Sequence, residues 1–427
     1  MIIVGAGVVG LVLAQSLKKV GKHNLLFTGS MLKNVQDGIP FIIFDRDEHI
    51  DVRGHGWGIT IHWALKALQA CLPPLLFDRL DTIQVDPEQG RKDNGQFLFL
   101  NLANAEAVFQ IPPAPRRRIN REKFRKLLMD GINVQWNKSI AAFEGTPSGV
   151  KVVFEDGTNT EGRLLVGADG STSKVRRILC PETGFLYQLP IRFLGATVRL
   201  TPAEMAPLRA LDPLLFQGCH PETSTYLWFA TLDTPEVNGS RGDSEYYSAQ
   251  LNISWPVKSP ADEVPATNVE KLQKMKDLAD VFEPRLKKAV QNIPEGTEIV
   301  EIKLADWPCL KWPFDGKATL LGDAAHAMTM CECDCSQVRL GPLLISVPDR
   351  GEAANHGITD ARLLHDQLVE VSLGNISQLN AIEKYETEMR DRTSWAVLMS
   401  RQACLDAHDF KNLNKESAIL ARRTRQN

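Results

Sequence analysis

Residues 5–10 read Gly5-Ala6-Gly7-Val8-Val9-Gly10. They follow the β-branched run Ile2-Ile3-Val4 and lead straight into Leu11-Val12-Leu13-Ala14-Gln15-Ser16-Leu17, a stretch of good helix formers. Three glycines at that spacing between a strand and a helix leave few ways to fold. Gly5 permits the tight turn, Gly7 lets backbone approach a pyrophosphate, and Gly10 lets the helix lie close to the strand. The helix start supplies free N–H groups and partial positive charge that favour phosphate. The expectation is a parallel α/β unit that binds a dinucleotide.

Such a unit needs a carboxylate at the end of its second strand to hold ribose hydroxyls, on the order of 20 residues past the last glycine. Phe41-Ile42-Ile43-Phe44 reads as that strand and Asp45 as the carboxylate. The gap from Gly10 to Asp45 is longer than the motif requires. The surplus runs from Val20 to about Gln36, which matches neither helix nor strand. Removing it would join Lys19 to Asp37-Gly38-Ile39-Pro40, a normal helix-to-strand turn. A long surface loop, which a fold tolerates, is the other reading.

Composition narrows the classes. A charged fraction of 24%, an apolar fraction of 43% and a net charge of −3 are those of an ordinary globular protein. They give no electrostatic reason to expect a nucleic acid or an anionic membrane surface as partner. No run approaches the ~18 uninterrupted apolar residues of a membrane span. The N-terminus has no basic leader or cleavage site, so a cytoplasmic location with reduced thiols is expected. The cysteines are scattered except for Cys331, Cys333 and Cys335, which have no fourth ligand at plausible spacing, so no metal is expected.

Two further strand-to-turn patterns stand far from the first. Leu164-Leu165-Val166 runs into Gly167-Ala168-Asp169-Gly170; Ser171, Thr172 and Ser173 can cap the helix that Lys174-Val175-Arg176-Arg177 begins. There Asp169 can orient phosphate or ribose contacts, and Arg176 can counter phosphate charge. Ala318-Thr319-Leu320-Leu321 runs into Gly322-Asp323-Ala324-Ala325-His326-Ala327-Met328. Here Asp323 can accept from a ribityl or ribose hydroxyl while Gly322 admits close backbone. His326 reads more readily as a structural hydrogen-bonder than as a proton shuttle. Downstream, Gly351-Glu352-Ala353-Ala354-Asn355-His356-Gly357 opens a helix whose N-terminus offers positive dipole to an anionic ring.

In that order the motifs resemble the class A, single-component FAD-dependent monooxygenases, the aromatic hydroxylases and epoxidases, and among them the fungal ones. Gly56-Trp57-Gly58-Ile59-Thr60-Ile61-His62-Trp63 and the run from Tyr385 to Arg401 carry the fungal likeness, which spans nearly the whole chain. The resemblance implies FAD contacts at Gly5, Gly7, Gly10, Asp45, Gly58, Arg121, Asp169, Asp323 and Ala354. Arg116, Arg117 and Arg118 compete with Arg121 or form a solvated basic turn. Ala353 stands where the family usually has glycine, which crowds the backbone if φ must be positive there. Arg192 and Tyr226 match, loosely, active-site positions of related epoxidases; a plain edge-strand arginine and a half-buried tyrosine are the alternative.

The implied fold class is α/β (α+β overall): a Rossmann-type FAD-binding domain, an interwoven β-sheet substrate domain and C-terminal helices. The expected division is 1–180 and 299–427 for the FAD-binding parts and 181–298 for the substrate sheet. Ile191–Leu200, Thr225–Leu232 and Tyr246–Trp255 are its candidate strands; helices are expected at Val269–Gln291 and from Thr359 onward. The implied activity uses NADPH or NADH and O2 to hydroxylate or epoxidise a small aromatic or polycyclic, prenylated metabolite through a flavin C4a-hydroperoxide. The nicotinamide would bind transiently, since no second dinucleotide motif is visible. Two other readings stand beside it: a flavin oxidase or dehydrogenase on the same fold, and an inactive chain. The second arises because Val20 to Gln36 and Cys331 to about Asp349 both interrupt flavin motifs. Both segments read as translated introns or a mistaken gene model; a transcript carrying them in most copies removes that explanation.

Overall fold

A computed structural model describes residues 1–23, 38–52, 56–93, 95–111, 115–313, 315–329 and 352–420. Its centre is a parallel sheet in the order Ala318–Leu320, Leu165–Gly167, Ile2–Val4, Ile42–Phe44, Val134–Gln135. The first three of these strands are entirely buried, as strands covered on both faces by helices must be. Register aligns Val4 with Gly167 and Phe44, and Gly167 with Leu320. The turns after all four strands therefore leave the sheet from one edge.

The glycine turn is held by contact rather than by composition alone. Gly5 has φ +116°, and a Cβ there would lie 2.2 Å from the Ala168 carbonyl oxygen. A Cβ on Gly10 would lie 2.1 Å from the Gly5 carbonyl oxygen, which shows how closely the helix Val8–His23 rides on its strand. That helix runs through Val20 to His23, so the start of the expected surplus segment is helical; residues 24–36 of it lie outside the described residues.

A seven-stranded sheet forms the second layer, in the order Ile299–Glu301, Ile191–Leu200, Tyr247–Pro256, Tyr226–Asp233, Leu215–Cys219, Phe97–Asn101, Glu106–Ile111. The first expected strand has the expected bounds, and the other two are displaced by a single residue. The Phe97–Asn101 and Glu106–Ile111 hairpin, expected in the first FAD-binding part, belongs to this sheet. Phe97-Leu98-Phe99-Leu100 is apolar on both faces, and it pairs in parallel with Leu215–Cys219.

One face of this sheet presents Leu194, Val198, Phe216, Phe229, Leu251 and Ile253 to the helices Pro202–Arg209, Asn268–Ala279 and Pro284–Gln291. The other face carries Tyr226 and Trp228 and meets Ala403 and Ala407 near the end of the long helix Gln378–Asp406. The helices expected over Val269–Gln291 are Asn268–Ala279 and Pro284–Gln291. Pro284 begins the second, where its missing N–H does no harm, and the Glu283 carboxylate caps it by accepting from the Arg285 and Leu286 amides. The helix expected to open at Gly351-Glu352 runs Glu352–Ser372, and the chain breaks at Gly374 with φ +76° before the next helix begins at Gln378.

Candidate functional site

The edge where the four turns emerge encloses a cleft of about 400 Å³. Its wall brings together Gly5, Gly7, Asp45, Arg121, Asp169, Asp323 and Ala354. Gly10 and Gly58 stand one layer behind: Gly10 under the helix as described, and Gly58 against the Arg118 guanidinium, whose Nε would lie 2.7 Å from a Cβ at residue 58. Gly7 differs from its neighbours, because a Cβ there meets nothing within 4 Å. The cleft itself is what that side chain would fill.

Two helix starts open on the cleft. Val8 and Val9 line it from the first, Ala353 and Ala354 from the helix Glu352–Ser372. Ala353 lies in a helical turn, where φ is negative, so alanine is no obstacle to the backbone there. Arg121 is the first residue of the helix Arg121–Leu128, whose cap Asn120 accepts from the Glu122 and Lys123 amides at 3.1 and 3.2 Å. Its own amide donates to the Trp57 carbonyl at 2.9 Å.

The carboxylates differ in how committed they are. Asp45 accepts from the Ala6 amide at 2.6 Å and the Asp47 amide at 3.0 Å. Asp169 accepts from the Ser173 hydroxyl at 2.5 Å and the Lys174 amide at 2.7 Å, so it caps the helix Lys174–Leu179 as well as facing the cleft. The Asp323 carboxylate accepts no hydrogen bond among the described residues, although its backbone carbonyl takes Arg176. Burial pushes its carboxyl above the ordinary value, against the opposing pull of His326, Arg121 and Arg176.

Sequence reasoning missed several cleft residues, namely Arg46, Lys138, Ser139 and Lys174. Arg46 directly follows Asp45, is exposed and makes no ion pair among the described residues. Lys138 and Ser139 follow Val134–Gln135, a strand too short to announce itself, and the backbone turns there through Asn137 at φ +57°. Lys138 binds Asp156 at 2.5 Å, and Lys174 binds Glu155 and, at 2.8 Å, the Ser139 hydroxyl.

Arg176 departs from its expected role. Its guanidinium is buried over Trp307 and donates to the carbonyls of Gly184 at 3.0 Å, Asp323 at 3.2 Å and Ala324 at 3.0 Å, and to that of Ser171. It ties the Asp169 turn to the Asp323 turn instead of facing phosphate. Burial lowers it to about 10. Arg116 and Arg118 are buried as well, so the basic turn is not solvated: Arg116 pairs with Asp93 at 2.6 Å, and Arg118 donates to the Thr60 hydroxyl at 2.7 Å.

The two catalytic candidates are not brought together. The Tyr226 hydroxyl donates to Gln217 Oε1 at 2.5 Å within a buried sheet face. Arg192 is in register with Trp255, on the opposite face, and holds Glu263 at 2.6 and 2.8 Å. Cys331, Cys333 and Cys335 lie outside the described residues. No helix among the described residues is long and apolar enough to cross a membrane.

Comparison with known proteins adds the following. FAD-dependent monooxygenase dbaB of Emericella nidulans is 43% identical over 376 residues, covering 86% of each chain. FAD-dependent monooxygenase tazP of Aspergillus terreus is 33% identical over 384 residues, covering 85% of this chain and 88% of its own. The chain belongs to the FAD-dependent monooxygenases. It is an oxidoreductase with a Rossmann-type FAD-binding fold. No family model matches it. Among solved structures, 2,6-dihydroxypyridine-3-hydroxylase from Arthrobacter nicotinovorans shares the fold at TM-score 0.71 and 16% identity, covering 99% of this chain and 95% of that one. Klebsiella pneumoniae HpxO, complexed with FAD and uric acid, does so at TM-score 0.69 and 17% identity, covering 95% and 88%.

The residues present fit the family's cofactor. The space at Gly7 suits a pyrophosphate pressed on backbone, two helix starts favour its charge, and the Asp323 carboxylate faces the cleft with acceptor capacity to spare.

Proposed function

We propose that this FAD-dependent monooxygenase uses NADPH or NADH and O2 to hydroxylate or epoxidise a small electron-rich aromatic or polycyclic, prenylated metabolite. When bound, FAD would supply the redox chemistry by which electrons from the nicotinamide reduce O2, one oxygen atom going to the substrate and the other to water. The chain binds and orients. Gly5 and Gly7 bring backbone amides and the Val8 helix start to the pyrophosphate, with Arg46 and Arg121 as counter-charges. Asp45 holds the ribose, and Asp323, with its free acceptor oxygens, takes a hydroxyl of the ribityl chain. Asp169 fixes the turn beside them, and Ala354 brings the second helix start to the ring.

One observation carries the reading: the turns bearing Gly7, Asp45, Asp169 and Asp323 share a single cleft at one sheet edge. The test is the absorption spectrum of purified protein reconstituted with FAD, followed by NADPH-dependent oxygen uptake. A flavin band near ~450 nm and uptake coupled to an oxygenated product support it. Uptake that returns only peroxide with every electron-rich substrate tried replaces it with an oxidase, and colourless protein refutes the cofactor assignment.

A further inference from the structure

The helix Arg121–Leu128 serves the cleft at two depths. Arg121 stands at its start and lines the wall, while Arg125, one turn later on the same helix face, is buried behind it. The Arg125 guanidinium is used in three directions. Its Nε donates to the Ala6 carbonyl at 2.8 Å, and Nη1 donates to the Ile50 carbonyl at 3.1 Å. Nη2 stands 3.6 Å from Asp45 Oδ2 and 3.5 Å from Asp47 Oδ2. The Trp136 ring, 5.5 Å from the guanidinium carbon, covers it.

Asp45 closes the circuit. Its Oδ2 accepts the Ala6 amide at 2.6 Å, so Ala6 is held by its amide through Asp45 and by its carbonyl through Arg125. Oδ1 accepts the Asp47 amide at 3.0 Å. The glycine turn, the end of the strand Ile42–Phe44 and the helix Arg121–Leu128 are thereby joined around one carboxylate that lines the cleft. Asp47 brings a second buried carboxylate to the same guanidinium. Like charges so close in a dry setting repel, and the arginine they share offsets that repulsion and sets where each one points.

We propose that Arg125 is a positioning residue for the cofactor, acting through Asp45, and that it makes the site select a flavin dinucleotide by the hydroxyls of its adenosine ribose. The proposal rests on the reading of Asp45 given above. Arg125 does not itself line the cleft, so its effect reaches a ligand through the carboxylate and the Ala6 turn. A carboxylate held in one bearing can accept from two adjacent hydroxyls; one that wanders loses that match. A methionine at residue 125 removes both the fork and the charge. Asp45 and Asp47 then lose the counter-charge they share, and their repulsion shifts Asp45 from the bearing that suits a vicinal diol.

The test is calorimetric titration of the flavin-free protein with FAD and with an FAD analogue whose adenosine lacks both ribose hydroxyls. The analogue keeps the pyrophosphate, the adenine and the flavin ring. Wild type should prefer FAD by about tenfold or more, the worth of one charge-assisted hydrogen bond. Arg125→Met should reduce that preference to about twofold or less, whatever happens to the two affinities together. A purely structural loss would weaken both ligands alike and leave the ratio as it was. Arg125→Lys keeps the charge but cannot span the Ala6 carbonyl and both carboxylates, so its preference should fall between the two. If Arg125→Met fails to fold, Arg125→Lys decides alone. A folded variant that keeps the wild-type preference overturns the inference, and so does a wild type that binds FAD without any preference. A wild type that binds neither ligand removes the cofactor reading itself, and this inference with it, so the two failures are told apart.

Discussion

Oδ2 of Asp360 accepts the Nε2–H of His326 at 2.6 Å and the amide of Gly322 at 3.0 Å, so one buried oxygen fixes both ends of the turn that holds Asp323. Its other oxygen takes Arg392 Nη2 at 2.6 Å, and Arg392 reaches on to Glu388 at 2.9 Å. Burial pushes the Asp360 carboxyl up, but His326 and Arg392 outweigh it and hold it below its ordinary value.

From this pair follows the effect of Asp360→Asn. It leaves Arg392 buried without its main counter-charge and should cost about 3–5 kcal/mol of unfolding free energy. Because the folded pKa is depressed, the stabilisation is present above the unfolded carboxylate value of about 4 and is lost below it. Urea titrations at neutral and acid pH check both points: wild type should lose this contribution only below about pH 4, and the variant should lack it throughout.

Gly7 and Gly10 should fail in opposite ways when changed to alanine. Gly7→Ala adds a methyl that meets only the open cleft, so the apoprotein should melt as wild type does while its flavin content drops. Gly10→Ala drives a methyl against the Gly5 carbonyl at 2.1 Å and should destabilise the protein with or without flavin, by about 1–3 kcal/mol. Melting curves alongside the flavin-to-protein absorbance ratio separate the two. Equal melting losses would contradict the open space at Gly7.

His408 makes a pH-dependent contribution. Its Nδ1 lies 2.7 Å from the Cys404 carbonyl and so carries the proton, which leaves Nε2 to accept the Ser254 hydroxyl at 2.8 Å. Burial lowers its pKa from 6.5 to about 4, partly offset by the bond to Cys404. The unfolded chain therefore takes up a proton that the folded one refuses, and stability falls as pH drops from 6.5 toward 4. Between about pH 7.5 and pH 5 this amounts to on the order of 2 kcal/mol. His408→Gln should flatten that part of the urea-midpoint profile; a profile unchanged by the substitution would assign the slope to other groups.

The motifs around the cleft were legible because they are local: Gly5 to Gly10, Asp45, the Asp169 turn and the Asp323 turn each occupy a few consecutive residues at a strand end, and parallel pairing then brings the ends together. What escaped was set by long-range packing. Lys138 reaches the cleft from a strand of two residues, and Arg176 resembles a phosphate ligand in sequence but is captured by carbonyls of a turn 147 residues away. Arg192 and Tyr226 both lie on true strands, yet the side-chain alternation of the sheet sends them to opposite faces, and only the strand register reveals which. The Phe97–Ile111 hairpin lies within the range 1–180 yet joins the seven-stranded sheet, and the sequence does not announce this because its partner, Leu215–Cys219, is remote.

The Ile39 amide donates to the Leu17 carbonyl at 3.2 Å, and Gly38, at φ +67°, places its Cα hydrogen where a Cβ would lie 2.6 Å from that same oxygen. The helix itself runs on to His23, but this geometry is the one by which a left-handed glycine closes a helix end. If Lys19 were joined directly to Gly38, Ile39 would follow Leu17 by four positions, and the bond already present would become the last turn of the helix. A chain without residues 20–37 would therefore have a helix terminus ready at this point, although the helix now runs on to His23. A chain lacking them should keep its flavin absorbance and melt no lower than the full chain, because the deletion shortens a connection without breaking that cap. Spectra and melting curves of the two purified proteins provide the comparison. Loss of the flavin band in the shortened protein would show that residues 20–37 contribute to the site.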